Sequence, residues 1–535
     1  MVGLCRRLHL CPSESGLPAE PSFLYRSRKE DICPWLPFIR PYAPPRRFRK
    51  IEWSGKADAL ALERAFTKRK SGLGPKRASR CPQAPAAKPQ QDNHEGQGGW
   101  IMKGKITFLG AGSTVFVRNV LGDAMLTPAL QEFELALFDI DAQRVKESEQ
   151  LLGAIKRSSG STCEIKVYAD RKEALRGAKY VINAIQVGGY EPCTVTDFEI
   201  PKKYGLRQTI ADTIGIGGIF RSLRTIPVLE GFAADIREVC PDALFLNYTN
   251  PMAVLTNYLN TYGNVRTVGL CHSVQVCVPH LFRDLGLDPA GVKTRIAGIN
   301  HMAWLLEATR DGEDLYPEIK RRAAEKQKEK HHDMVRYELM LKFGHYVTES
   351  SEHNAEYHPY FIKSRYPELV ETFNIPLDEY PRRCVEQIAN WNRQRDELLG
   401  SAGLEHERSH EYASYIMEAI ETDVTFKIGG NVMNTHGLIP NLPREACVEV
   451  PCLVDRGGIQ PLQVEALPPQ LAALNRTNIN TQLLTLEAAV TRKREHIYHA
   501  AMLDPHTSAE LSMDDIVSLC DDLIEAHGDW LPEYR

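Results

Sequence analysis

From Lys105 to Ile299 short apolar runs of strand length alternate with segments of helix length, and that rhythm narrows the fold more than any other feature. The pattern predicts strands at 105–109, 134–138, near 164–168 and 179–185, and at 243–247, 265–270 and 294–299. Helices are expected over about 114–126, 142–159 and 219–239. Apolar strands separated by helices bury both faces of a sheet, so the chain should form a doubly wound, Rossmann-like parallel α/β sheet. After residue 301 the rhythm gives way to longer helices, such as 313–345 and 405–421, mixed with irregular, antiparallel strands. The expected organisation is an extension (1–101), a Rossmann-like domain (102–300) and an α+β domain (301–535).

In such sheets ligands bind beyond the carboxyl ends of the strands. The first strand runs into Gly110-Ala-Gly112-Ser113, a turn that lets backbone approach a pyrophosphate at the start of the next helix. The third glycine of the usual fingerprint is absent, because Val115 stands there. Asp139 ends the second strand, where a carboxylate accepts from ribose hydroxyls and disfavours a 2′-phosphate. NAD is therefore the expected cofactor. Asn183 and Val187, beyond a later strand, are candidates for the nicotinamide side.

Further strand ends carry Asn250-Pro251, Cys271-His272 and Asn300-His301. Taken singly, each has a structural reading: a buried thiol, a core imidazole, an asparagine turn. Together, Cys271 and His301 form a candidate metal pair, whose thiolate and imidazole suit zinc or another soft-tolerant ion. The polar run from Gly344 to His353, with Tyr346 inside it, reads either as a solvated loop or as the lining of a sugar site.

The net charge of -4 argues for neither a nucleic-acid nor a membrane partner, and no apolar run approaches the roughly 18 residues that span a bilayer. Residues 1–100 hold 19 Lys+Arg against 9 Asp+Glu, the remainder 46 against 60. Residues 1–101 lack either period and read as a disordered or spurious extension, with Met102 as the natural start; the alternative is a basic arm or transit peptide. The later cysteines have no framework spacing, so a cytoplasmic enzyme is expected.

From about residue 103 the chain resembles glycoside hydrolase family 4, in particular its α-galactosidase branch. The resemblance rests on Lys105–Thr114, Gln186–Glu199, Leu246-Asn-Tyr-Thr-Asn-Pro-Met252, Gly269-Leu-Cys-His-Ser-Val-Gln275 and Ala297-Gly-Ile-Asn-His-Met-Ala303. It continues through Phe343–His353, Glu356-Tyr357, Asn475–Asn480 and Tyr498–Met502. It implies a lactate- and malate-dehydrogenase-like fold and an exception to the two-carboxylate scheme of glycosidases. NAD⁺ would oxidise carbon 3 of the sugar, a base would remove the acidified proton at carbon 2, and the glycosidic oxygen would leave by elimination. Water addition and return of the hydride would complete a net hydrolysis.

By the same resemblance, Cys271 and His301 would hold a divalent ion, typically Mn²⁺, and Asn250 would bind the sugar. His272 would protonate the leaving oxygen or bind the ground state. Tyr346 would be the carbon 2 base; related enzymes use a tyrosine or an aspartate. The expected substrate is a terminal α-galactoside and the expected assembly a homo-oligomer, dimer or tetramer. Alternatives are an α-glucosidase or α-galacturonidase of the family, a simple NAD-dependent polyol or hydroxy-acid dehydrogenase, and a nucleotide-sensing protein.

Overall fold

The computed structural model describes residues 103–400 and 403–535. The expectations for residues 1–101 lie outside them. Six parallel strands build the first half: β1 (Gly104–Leu109), β2 (Phe133–Phe138), β3 (Glu164–Val167), β4 (Tyr180–Asn183), β5 (Leu244–Asn247) and β6 (Thr267–Gly269). Later come β7 (Lys293–Ile299), β8 (Met302–Arg310), β9 (Glu313–Asp314), β10 (Phe426–Met433), β11 (Cys447–Asp455) and β12 (Gly458–Pro461).

The parallel strands lie in the order β3-β2-β1-β4-β5-β6, the doubly wound arrangement expected. Their apolar runs are continuous because both faces are covered: Phe108, Leu135, Leu137, Val181, Ile182, Phe245 and Leu246 are all fully buried. Each such side chain contributes roughly 1.5–3 kcal/mol of burial. Helices at Thr114–Leu126 and Ala142–Ser159 cover one part of the sheet, and the long helix Gly215–Val239 packs on Val181 and Phe245 in a second core.

The later strands extend this sheet rather than forming a separate one. β10 runs antiparallel beside β6 (Asn431 opposite Gly269), β11 beside β10, and the β7–β8 hairpin joins β11 (Gly298 opposite Glu449). The hairpin turn is Asn300-His301, since Ile299 pairs with Met302. It falls where the sequence suggested a domain boundary.

Two expected helices are corrected. The segment 313–345 forms β9 and two helices, Tyr316–Lys326 and Met334–Phe343, broken where Asp333 turns inward to Arg336 and Tyr346. The segment 405–421 is helical only from Tyr412, because Asp123 clamps the preceding residues through His406 (2.8 Å) and Ser409 (2.6 Å to the hydroxyl). No described helix is long and apolar enough to cross a membrane.

Candidate active site

The carboxyl end of β1 makes the turn that its glycines predict. Gly110 has φ +89° and lies so close to the β4 end that a Cβ there would stand 2.7 Å from the Ala184 carbonyl oxygen. The Gly110 and Ala111 N–H groups both donate to the Phe138 carbonyl (3.0 Å each). The Gly112 N–H donates to Asp139 Oδ2 at 2.8 Å, so the β2-end carboxylate braces the turn beside which a ribose would lie. Ser113 caps helix Thr114–Leu126 without a side-chain hydrogen bond, leaving its hydroxyl available to an anion at that N-terminus.

Asn183, at the end of β4, is buried and donates to Asn247 Oδ1 (2.9 Å) and Thr249 Oγ1 (3.1 Å), while its own Oδ1 has no partner. The Val187 carbonyl accepts from Arg224 Nε at 3.2 Å. Arg224 is itself buried and paired twice with Asp197, at 3.1 and 2.6 Å. The loop beyond β4 is thereby held in one place.

Next along the sheet edge, Cys271 follows β6 and caps helix His272–Asp284, its sulfur accepting from the Ser273 N–H at 3.4 Å. His301 sits in the hairpin turn with φ +62°, and Glu349 has φ +68°. Neither residue favours the left-handed region, and such strain persists where surrounding structure imposes it, often at functional sites. Sγ of Cys271, a ring nitrogen of His301 and a carboxylate oxygen of Glu349 all lie within 4.8 Å of one another. Among the described residues this is the one group of such donors with metal-holding geometry.

The surroundings of this trio explain its charge. Burial pushes the Cys271 thiol well up, and Glu449 and Glu349 push it further. Burial also raises the Glu449 carboxyl to about 7, and its Oε2 has no hydrogen-bond partner. Glu349 differs: burial opposes its ionisation, yet His301, His353 and Arg336 hold its pKa below the usual carboxylate value. A thiol and two carboxyls thus meet in one pocket, where a divalent ion would favour the ionised form of each. The donor set fits such an ion. His301 Nδ1 is fixed by the Tyr357 hydroxyl at 3.0 Å, which orients the ring as partners of metal-bound histidines do.

Beside the trio, Asn250 donates to Asp212 Oδ2 at 3.3 Å, and His353 Nε2 lies 4.0 Å from Asp212 Oδ1. Burial opposes ionisation of Asp212, yet Arg221, His353 and His301 together hold its pKa below the usual carboxylate value. The segment carrying Asp212 is fixed by Glu356, whose carboxyl oxygens accept from the N–H groups of Thr209 (2.8 Å), Ile210 (3.2 Å) and Ala211 (2.8 Å).

His272 points elsewhere than Cys271. Its side chain is half exposed, and Nε2 lies 2.7 Å from Glu411 Oε2, which raises the imidazole pKa. The arrangement suits a proton donor at a solvent-accessible position.

Tyr346 requires a correction. It is fully buried, its hydroxyl donates to Asp333 at 2.5 Å, and its ring stacks on Arg336. Burial pushes its pKa well up, and the hydroxyl is held by Asp333 rather than presented beside Cys271 and His301. Its run of sequence does reach the site, through Glu349 and His353, with Tyr357 just beyond it. Sequence reasoning missed Asp212, Glu349, Glu411 and Glu449, and only Glu349 lies within a segment singled out for its polar density.

Comparison with known proteins places the chain in a family. The model for family 4 glycosyl hydrolases matches residues 105–287, and that for the family's C-terminal domain matches 296–507. An α-galactosidase of Bacillus subtilis (strain 168) is 67% identical over 431 residues, covering 81% of this chain and all of that protein. The chain belongs to glycosyl hydrolase family 4. A second relative, an α-galactosidase of Rhizobium meliloti (strain 1021), is 34% identical across 80% of this chain and 89% of its own length. Among solved structures, a 6-phospho-α-glucosidase from gut microorganisms, in complex with NAD and Mn²⁺, superimposes with a TM-score of 0.67. It is 20% identical and covers 81% of this chain and 100% of its own, so it supports the fold.

Proposed function

We propose that this family 4 enzyme hydrolyses terminal α-galactosides, using bound NAD and a divalent ion such as Mn²⁺. The observation that carries the reading is the Cys271–His301–Glu349 trio on the same sheet edge as the Gly110–Asp139 turn. The α-galactosidase assignment draws on the two relatives of that activity; an α-glucosidase relative is 28% identical and an α-galacturonidase 27%.

In this reading Gly110, Gly112 and Ser113 receive the pyrophosphate, Asp139 the ribose hydroxyls, and Asn183 and Val187 the nicotinamide side. Cys271 and His301 hold the ion with Glu349 as a third donor. When bound, the dinucleotide supplies a reversible hydride acceptor and the ion a Lewis acid. Asn250 positions the sugar. Asp212, ionised and hydrogen-bonded to Asn250, takes the place first given to Tyr346 as the carbon 2 base. His272, kept protonated by Glu411, hands its proton to the glycosidic oxygen as that bond breaks, and accepts one when water adds. A homo-oligomeric, cytoplasmic enzyme remains part of this reading.

The test is release of 4-nitrophenol from the α-galactoside, α-glucoside and α-galacturonide, with and without NAD⁺ and Mn²⁺. Preference for the galactoside, and dependence on both additions, is expected. Preference for another sugar, or full activity in protein stripped of both, would overturn the proposal.

A further inference from the structure

A cavity of about 570 Å³ opens at the end of the sheet opposite the candidate active site. Lys103, Lys179 and Arg266 stand just before β1, β4 and β6, whereas the candidate active site lies after those strands. Strands of this length separate the two places by roughly 15–20 Å. Arg456, in the β11–β12 turn, completes a ring of four cations.

Inside the ring, Glu421 is nearly inaccessible and already saturated. It pairs with Lys103 (3.3 Å) and Lys179 (2.5 Å) and accepts from the Tyr180 hydroxyl (2.6 Å). Its effect is to hold two ammonium groups in place. Arg266 and Arg456 have no carboxylate within salt-bridge distance among the described residues, although Asp242 lies at the exposed rim. Four cations against two carboxylates leave an excess of two positive charges facing one hollow. Gly458 shapes that hollow: with φ +91°, it lets the backbone approach so closely that a Cβ would stand 2.1 Å from an Arg266 guanidinium nitrogen. A side chain there would displace the guanidinium from the ring.

We infer that this cavity binds a phosphate-bearing small anion, distinct from the dinucleotide and the sugar. Two unpartnered guanidiniums present forked donors of the geometry that phosphate oxygens accept, and the two ammonium groups add point charges beside them. The volume suits a hexose phosphate or a mononucleotide as well as the free ion.

The experiment is calorimetric titration of the full-length protein, saturated with NAD so that the dinucleotide's own phosphate site is filled. Inorganic phosphate, glucose 6-phosphate and AMP are titrated separately in low-chloride buffer. At least one should bind at one site per chain, more weakly as salt rises, and the three arms show whether the sugar or the nucleoside adds affinity. Arg266→Gln/Arg456→Gln should weaken that binding roughly 100-fold, from two lost charge-assisted contacts, while glycosidase activity and thermal unfolding stay as in the parent. Should the double variant fail to fold, each single variant should weaken binding about tenfold. Absence of saturable binding up to about 10 mM in all three arms, or equal affinity in the variants, would overturn the inference.

Discussion

Replacing Glu411 by Gln removes the charge beside His272 while keeping the side chain's size. The carboxylate is almost fully buried and the imidazole half exposed, with 2.7 Å between Nε2 and Oε2. A hydrogen bond to a charged group contributes about 1.5–3 kcal/mol when buried. Solvent at the exposed ring lowers that to about 1–1.5 kcal/mol, or close to tenfold in the protonated population. The sign follows from the direction of the shift. Glu411 raises the His272 pKa, so the imidazolium is favoured at low pH and lost as pH rises through the raised value. In the variant that loss comes at lower pH, and the alkaline limb of kcat/KM should move accordingly. The assay is kcat/KM for aryl and alkyl α-galactosides of graded leaving-group ability. Poor leaving groups, which need the proton, should slow about tenfold, and 4-nitrophenol should hardly be affected. An equal loss across the series, or no loss, would refute the role given to His272.

Cys271→Ser and His301→Ala should each abolish Mn²⁺ binding, measured by titration, and activity with it, while NAD affinity stays near that of the parent. Asp212→Asn should slow turnover at least about 100-fold and suppress solvent exchange at carbon 2, if it is the base. Glu356 has a carboxyl raised by burial from 4.5 to about 7, so its contribution to stability is present below pH 4.5 and is lost as pH rises to about 7. Glu356→Gln should flatten that part of the melting-temperature profile of the metal-free protein. A chain beginning at Met102 should match the full chain in activity on the same galactoside, since the family models match from residue 105 on.

How far these features were legible in sequence depended on how local their causes are. Gly110, Gly112 and Asp139 were readable because a strand, a turn and a strand-end acid are short-range patterns. Cys271 and His301 were readable as residues at strand ends, but their approach depends on β10 and β11 entering the sheet between β6 and β7, which no local period encodes. Glu411 and Glu449 come from that same later segment and look like ordinary surface acids in sequence. Tyr346 lies in the polar run 344–353 and Tyr357 just beyond it; the structure sends the first into a core against Arg336 and the second to His301. The break before Asp333 was hidden because the charged run 320–330 contains neither glycine nor proline and reads as helix throughout.

The central claim is hydrolysis through reversible oxidation and elimination, and deuterium incorporation tests it most directly. The enzyme is incubated with an α-galactoside, NAD⁺ in catalytic amount, Mn²⁺ and a thiol reductant in D₂O, and the released galactose is examined by NMR and mass spectrometry. Deuterium at carbon 2, with no accumulation of NADH, is the predicted result. Galactose released with hydrogen retained at carbon 2, or NADH formed in stoichiometric amount without glycosidic cleavage, would contradict it.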